Sequence, residues 1–425
     1  MKKYPWLLCG LLLCACSGKP TPPTSIPKKS SATKQTLEVK NASLVNTMGD
    51  GNEDGFYHLK TRETKDGNTM TNITYYDYAT RQEVYLCDKP ECHHSDDTCT
   101  SYLNIIPYTG VLFTHGDGLY LINNETIENV SDAPSILKMD LDGKNRKKLA
   151  SLHDGYRFDD SSFAISGSTL YHGVVKESLI NAGSYSLTTQ TDKQLYAIDL
   201  ESGDMKKETS LRDKKIIGAK GHNLIFAHNN YERDPDELLK NKDFEAYDQV
   251  TRDAKMGYIL YDITTKKEGI EVMSDSAILA SGSKDNLYYL DDHLYAIDIT
   301  SGKTRVVTEL PSDKQYVLGY LFDDTAILEE FSLGNTAQFL RTYAVSLTDG
   351  VMTPLPMKMK NPDEAVKILG FTTDQLLIQY DRDGHMEKSW AGTDQFRVDH
   401  EYVGLILKKD FFAGKDEIQD IRTLE

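Results

Sequence analysis

The sequence of 425 residues carries 48 basic and 65 acidic residues, a formal net charge of −17. A surface this acidic argues against binding to nucleic acid and against lying flat on anionic lipids. The length allows one large domain or several smaller ones, so the choice depends on patterns along the chain.

The first residues have the layout of a secretory signal. Two lysines follow Met1, an apolar stretch covers residues 6–15, and Cys16 comes next. An apolar core of about ten residues is too short to remain as a membrane-spanning helix, which needs roughly twenty. The run Leu-Cys-Ala-Cys that ends at Cys16 resembles a lipobox, and this resemblance implies that a diacylglyceryl lipid becomes attached to Cys16. The alternative is an ordinary cleaved signal peptide in which Cys16 has no special role.

Residues 16–35 consist mostly of Pro, Ser, Thr and Lys. Such a composition buries too little apolar surface to offset the entropy of ordering. It is typical of a flexible tether. The sequence therefore predicts a signal peptide at 1–15, a lipidated tether at 16–35 and a folded domain at 36–425, held on the outer face of the cell membrane.

A strand pattern recurs through the folded part. Its clearest copies, residues 195–203 and 294–302, both read Leu-Tyr-Ala-Ile-Asp-x-x-Ser-Gly. Their side chains alternate between two faces, as in a half-buried strand, and the Asp-x-x-x-Gly end predicts a tight turn into a further strand. Looser copies lie at residues 73–78, 136–143, 259–264, 342–350 and 402–407.

Two apolar runs joined by a turn precede each copy, so the repeating unit contains four strands. Four antiparallel strands cannot bury both faces alone, but a radial arrangement lets each unit cover the next. The sequence therefore predicts an all-β protein, a β-propeller. Seven four-stranded blades fit the count best, with six or eight as alternatives.

The Leu-Tyr-x-Ile-Asp-x-x-Ser-Gly segments resemble those of TolB-like and quinoprotein-like propellers. From about residue 45 to the end, the chain is similar to the β-propeller lipoproteins of anaerobic Gram-positive bacteria, many of uncharacterised function. This resemblance implies the fold, and the fold alone does not imply a function.

One helical insertion is predicted within the fourth unit. Asp234 has the character of an N-cap, Pro235 follows at the first helical position, and acidic residues occupy the first turn. The pattern predicts a helix that runs to about Ala254. It could form a lid, bind a partner or pack against its own blade. The polar stretch from Glu177 to Lys193 is predicted to be a long hairpin loop.

Three cysteines lie within one short segment, at Cys87, Cys92 and Cys99. Three thiolates and one imidazole would complete a tetrahedral zinc site with no open position, which points to a structural ion. A similar Cys-x4-Cys-x-His-x4-Cys stretch occurs in the lipoproteins that the chain resembles, and that match selects His94 rather than His93 as the fourth ligand. The alternatives are one disulfide with a spare thiol, or a redox or haem role.

The sequence contains no Gly-x-Ser-x-Gly motif and no Gly-rich phosphate loop after a strand. This favours a non-enzymatic binding or scaffold module, anchored to the membrane by its lipid, that uses one propeller face to hold a peptide, glycan or protein. Two other hypotheses stay open: a lyase or hydrolase with its site at the central channel, and a metal- or redox-sensing lipoprotein that uses Cys87 to Cys99.

Overall fold

A computed structural model describes residues 38–40 and 49–424, apart from gaps at 64–68, 106–109, 125–132, 154, 160–161, 182–185, 270, 275–279, 282–284, 323, 335–336, 361–362 and 389–392. The predicted signal peptide, the lipid site Cys16 and the tether lie outside these residues. Within the described part of the chain, no helix has the length and apolar character that crossing a membrane requires.

The described chain forms eight antiparallel sheets: seven of four or more strands, the blades, and one two-stranded ladder. Apart from the added strand β1 (Glu38–Lys40), each blade is built from one stretch of sequence. The strand β1 comes before the blades and pairs with the third blade. Blade 1 contains β2 (Gly49–Gly51), β3 (Gly55–Glu63), β4 (Thr69–Asp77), β5 (Gln82–Tyr85) and β6 (Tyr102–Leu103). Blade 2 contains β7 (Gly110–His115), β8 (Gly118–Asn123), β9 (Ser135–Asp140) and β10 (Lys147–Ser151). Blade 3 contains β11 (Tyr156–Phe158), β12 (Phe163–Ser166), β13 (Thr169–Asn181), β14 (Ser186–Asp199) and β15 (Met205–Ser210).

The remaining blades follow the same order. Blade 4 contains β16 (Lys214–Lys220), β17 (Asn223–Asn230), β18 (Lys255–Asp262), β19 (Lys267–Glu268) and β20 (Val272–Ser274), with the helices α1 (Pro235–Lys240) and α2 (Phe244–Arg252) between β17 and β18. Blade 5 contains β21 (Ala280–Ser281), β22 (Asn286–Leu290), β23 (His293–Asp298) and β24 (Thr304–Glu309). Blade 6 contains β25 (Lys314–Leu321), β26 (Thr325–Ser332), β27 (Phe339–Ser346) and β28 (Met352–Leu355), and the ladder of β29 (Met359–Lys360) and β30 (Asp363–Glu364) follows it. Blade 7 contains β31 (Lys367–Phe371), β32 (Gln375–Lys388), β33 (Asp394–Leu407), α3 (Lys408–Phe412) and β34 (Gln419–Ile421).

The blades are arranged in a closed ring. Near the axis, β2 of blade 1 contacts both β7 of blade 2 and β31 of blade 7, and β16 of blade 4 contacts both β12 of blade 3 and β21 of blade 5. Seven hydrophobic clusters fill the space between the blades, one at each of the seven interfaces. The prediction of a propeller with seven four-stranded blades is therefore confirmed.

One strand shows how the sequence period produces this ring. In β23, Leu294 and Ala296 belong to the cluster between blades 5 and 6. Ile297, which points the other way, belongs to the cluster between blades 4 and 5. Because successive side chains of a strand point to opposite faces, one alternating segment supplies two interfaces.

The ring closes between blade 7 and blade 1 through the end of the chain. The carbonyl of Arg422 accepts the N–H of Glu83 at 2.8 Å, and Glu83 Oε2 accepts the N–H of Leu424 at 2.8 Å. Glu83 also lies 2.8 Å from Lys60 Nζ and 3.1 Å from His58 Nε2, and its side chain is fully buried. The C-terminal residues thus latch onto the outer part of blade 1.

The two faces of the ring carry different connections. Because the strands alternate in direction, the links from first to second and from third to fourth strand lie on one face, here called the turn face. The links from second to third strand and from blade to blade lie on the other, here called the insertion face. The insertion face carries α1 and α2, and also two long β-hairpins, β13–β14 and β32–β33.

The Asp-x-x-x-Gly motif builds the turn face. At residues 199–203, Asp199 Oδ1 accepts the N–H groups of Glu201 at 2.9 Å and Ser202 at 2.7 Å. Gly203 has φ +82°, and a Cβ there would lie 2.0 Å from the carbonyl oxygen of Leu149 in the preceding blade. Glycine is therefore required at this position both by the backbone and by the neighbouring blade.

Two predictions about the insertion face were wrong in detail. The single helix expected to reach about Ala254 is two helices, because Lys242 adopts φ +58° and Asp243 starts a second helix by accepting the N–H of Ala246. Asp234 and Pro235 do occupy the N-cap and first position of α1 as expected. The stretch from Glu177 to Lys193 is mostly strand rather than loop, because β13 and β14 keep pairing beyond the blade.

Candidate metal centre

The cysteine segment interrupts the outermost strand of blade 1. β5 ends at Tyr85, and β6 resumes pairing with the same neighbour, β4, at Tyr102. The loop between them therefore lies at the outer rim of the ring, beside blade 2. Two of its residues, Glu91 and His94, adopt left-handed backbone angles of φ 58° and 54°. Such angles are uncommon outside glycine and persist where surrounding contacts impose them.

The loop brings the four predicted ligands together. One donor atom from each of Cys87, Cys92, His94 and Cys99 lies within 4.8 Å of the other three, and His94 Nδ1 is 3.2 Å from Cys99 Sγ. Zinc bonds of about 2.0–2.3 Å in a tetrahedron place donor atoms about 3.5–3.8 Å apart. The three cysteines are free thiols in the structure. Both the donor types and their spacing fit a closed Cys3His zinc site.

Three strands of blade 1 hold His94 in place. Its carbonyl oxygen accepts hydrogen bonds from Arg62 at 3.1 Å and from Asn72 at 3.0 Å. Its ring stacks on Tyr85 with 4.1 Å between centroids and 22° between planes. His93, in contrast, is exposed. Outer contacts of this kind fix the orientation of a ligand before the metal binds.

Further contacts join the loop to blade 2. Arg146 donates to the carbonyl oxygens of Thr100 at 2.6 Å and Tyr102 at 2.7 Å. Lys144 Nζ lies 2.6 Å from Asp88 Oδ2. A metal ion in the loop would therefore brace the junction of two blades.

The protonation of the ligands is uneven. Burial raises the pKa of the Cys99 thiol to about 12. Burial also opposes ionisation of Cys87, but the backbone N–H of Lys89 and hydrogen bonds with Cys99 and Cys92 outweigh it and lower the pKa of Cys87. Burial, together with the charge of Arg62, lowers the pKa of His94 and keeps its imidazole neutral at neutral pH. A cation would favour the thiolate form of all three cysteines.

Sequence reasoning missed the residues that hold the loop. Arg62, Asn72 and Arg146 lie in blade strands and turns far from the cysteines in sequence, and nothing in their local pattern marks them as supports. Tyr85 lies two residues before Cys87, but its role depends on how the loop folds back over it. These contacts arise from the tertiary fold.

The fold and this site define the class of protein: a seven-bladed β-propeller with a Cys3His cluster at its rim. No family model matches the sequence, and no curated protein matches it either.

Solved structures share the fold. Puromycin hydrolase is similar with a TM-score of 0.50 and 9% identity, over 92% of this chain and 57% of that one. The β-propeller domain of the Trilobed protease from Pyrococcus furiosus is similar with a TM-score of 0.42 and 10% identity, over 92% and 97% of the two chains. TolB from Acinetobacter baumannii has a TM-score of 0.33 and 12% identity, over 86% and 80%. The chain thus spans little more than half of puromycin hydrolase, and at these identities the likeness shows the fold alone.

Proposed function

We propose that the protein is a lipid-anchored binding protein outside the cell membrane, whose insertion face holds a peptide, glycan or protein partner. The observation that carries this proposal is the difference between the two faces. The long additions of blades 3, 4 and 7 emerge on the insertion face, where they extend the surface beyond what the fold needs. Binding residues are commonly placed on such connections because a rigid scaffold positions them.

The direction of β1 supports an outward-facing insertion face. β1 lies on the axial side of β12 and runs antiparallel to it, with Glu38 opposite Ile165 and Lys40 opposite Phe163. β12 runs from the insertion face to the turn face, so the chain enters β1 from the turn face. A tether at residues 16–35 would approach the ring from that side, and the turn face would be nearer to the membrane.

The position of β1 also favours binding over catalysis at the central channel. β1 lies along the axis, paired with β12 and in contact with β16. A site at the centre of the ring would have to share this space with a strand of the same chain. The insertion face has no such obstruction from β1.

The Cys3His cluster has a structural role in this proposal. A zinc ion held by Cys87, Cys92, His94 and Cys99 would have no open position for a water or substrate, so it would supply stability rather than chemistry. Because Arg62 of blade 1 and Arg146 of blade 2 both contact the loop, such an ion would stabilise the junction of these two blades.

The orientation can be tested on the full chain in liposomes. A donor fluorophore is attached through a non-natural residue at Thr265 on the turn face or at Glu245 in α2 on the insertion face, both exposed and both in blade 4. Energy transfer to an acceptor on lipid headgroups should be stronger from position 265. Equal transfer, or stronger transfer from position 245, would contradict the proposed orientation. A Cys16→Ser variant should lose both its lipid, measured by mass spectrometry, and its liposome binding.

A further inference from the structure

The insertion face contains a cleft between the helices and the blades. A cavity of about 650 Å³ opens between α1 and α2 on one side and the edges of blades 3 and 4 on the other. Ligand sites in proteins are commonly about 300–1,000 Å³ in volume. The cleft is therefore large enough for a small ligand or for a few units of a polymer.

The charges around the cleft are nearly balanced. Five basic and four acidic residues line it, and the main cations already have acidic partners. Arg212 pairs with Asp234. Lys214 lies 2.6 Å from Glu268, and Lys193 lies 2.7 Å from Asp159. A strongly anionic ligand would compete with the acidic partners of these three cations, and a strongly cationic ligand would compete with the cations, so the balance favours a neutral ligand.

Two buried polar atoms in the cleft have no hydrogen-bond partner. Gln194 is 8% exposed, and its Oε1 is unsatisfied although its Nε2 donates to Asp192 at 2.7 Å. His228 Nε2 lies 3.0 Å from Glu271 Oε1 but is not aligned for a hydrogen bond with it. Buried polar groups are almost always satisfied, so these two atoms point to a ligand that can complete them.

Aromatic rings and short polar side chains complete the lining. Tyr247 and Thr251 lie one turn apart on α2, and Tyr231 accepts a hydrogen bond from Asn229 at 2.9 Å. A tyrosine offers both an apolar ring face and a polar group. The set matches a ligand that has apolar C–H faces and many hydroxyls, each able to donate and to accept.

We propose that this cleft binds a neutral oligosaccharide. Sugar hydroxyls would satisfy Gln194 Oε1 and His228 Nε2, and a sugar ring would stack on Tyr247. The inference deepens the proposed binding function by naming the ligand class of the insertion face. It does not depend on the lipid anchor or on the orientation at the membrane.

The test uses the full chain, purified in mild detergent, on an array of neutral plant, fungal and bacterial oligosaccharides. Oligogalacturonates and casein peptides are included as charged and peptidic competitors. The expected result is binding to at least one neutral oligosaccharide, with the affinity then measured by calorimetry. Binding to no neutral oligosaccharide, or binding only to oligogalacturonates or peptides, would overturn the proposal.

Once a sugar that binds has been found, variants test whether it binds in this cleft. Tyr247→Ala should weaken binding about tenfold or more, whereas Tyr247→Phe, which keeps the ring, should stay within about threefold. Phe371→Ala removes an exposed aromatic ring from the turn face, at the end of β31, and as the control it should bind like the native chain. Thermal unfolding of each variant separates loss of binding from loss of fold. Unchanged affinity in a folded Tyr247→Ala variant would place the sugar elsewhere and overturn the assignment.

Discussion

The turn face and the insertion face are built from the same strands, yet their connections differ in length and in how closely they pack. On the turn face, short connections such as residues 199–203 fit tightly against the neighbouring blade, and the backbone of Gly203 has no room for a side chain. On the insertion face, the connections are longer and the cleft contains buried polar atoms without partners. The comparison indicates that the connections of the turn face are fitted to the neighbouring blade, whereas those of the insertion face extend beyond it, which is the difference on which the proposed binding role rests.

The largest effect is expected at the rim. A Cys99→Ser substitution removes a ligand that is 2% exposed, so bound zinc should fall to zero and the free energy of unfolding should drop by about 4 kcal/mol. Metal analysis and urea unfolding measure the two effects, and limited proteolysis should cut between residues 87 and 101. His93→Ala, which changes the exposed neighbour of His94, should keep its metal. Full metal content in Cys99→Ser would contradict the Cys3His assignment.

The next largest loss of stability is expected at the ring closure, where the contribution of Glu83 to the free energy of unfolding depends on pH. Burial would raise the pKa of Glu83, but its interaction with His58, and then with Lys60, outweighs burial and lowers the pKa from 4.5 to about 2. Because the folded-state pKa is the lower one, Glu83 stabilises the fold above pH 4.5, and this stability disappears as the pH falls towards 2. The shift corresponds to about 3 kcal/mol.

A Glu83→Gln variant tests this latch. Its free energy of unfolding should lie about 2–3 kcal/mol below that of the native chain at pH 7. The gap should narrow between pH 4.5 and the most acidic pH at which both proteins stay folded. Glu201→Gln, whose carboxylate is 73% exposed in its pair with Lys138, should cost less than about 0.5 kcal/mol at any of these pH values. A gap for Glu83→Gln that stays constant with pH would refute the role of its charge.

Two glycines of the turn face separate the cost of backbone strain from the cost of a clash with the neighbouring blade. Gly203 and Gly221 both have left-handed backbones, but a Cβ at Gly221 would meet nothing within 4 Å, whereas one at Gly203 would meet the carbonyl of Leu149. Gly221→Ala should therefore cost about 1 kcal/mol from the backbone alone. Gly203→Ala should cost about 2 kcal/mol more, because the blades must separate. Equal losses in urea unfolding would show that the contact between blades 2 and 3 is looser than the structure indicates.

The sequence predicted the blades because their signals are local. The alternation in Leu294-Tyr-Ala-Ile and the Asp-x-x-x-Gly turn act within nine residues, so period and turn chemistry identify each unit. The pairing of β1 with residues 163–165 could not be predicted, since it joins three residues to a strand more than a hundred positions away. The division of the predicted helix into two could have been recognised from the sequence, because Asp243 is a typical N-cap residue.

For the candidate metal centre, the sequence predicted the ligands but not the residues that support them. The cysteine spacing and the resemblance together named the four residues that the structure brings within 4.8 Å. The supports Arg62 and Asn72 could not be named, because their contacts to His94 depend on how the rim loop folds back over β3 and β4. The cleft was equally hidden. It exists only where blade 3, blade 4 and the helices meet.

The smallest effect on stability is expected in the cleft. A substitution there tests directly whether the insertion face differs from the turn face. Gln194→Met keeps the length of the side chain and removes an unsatisfied buried oxygen, together with one hydrogen bond to the exposed Asp192. These changes nearly cancel, so the free energy of unfolding should change by less than about 0.5 kcal/mol, measured by urea unfolding. A loss above about 1 kcal/mol would show that Gln194 stabilises the fold, and the insertion face would then follow the same rule as the turn face.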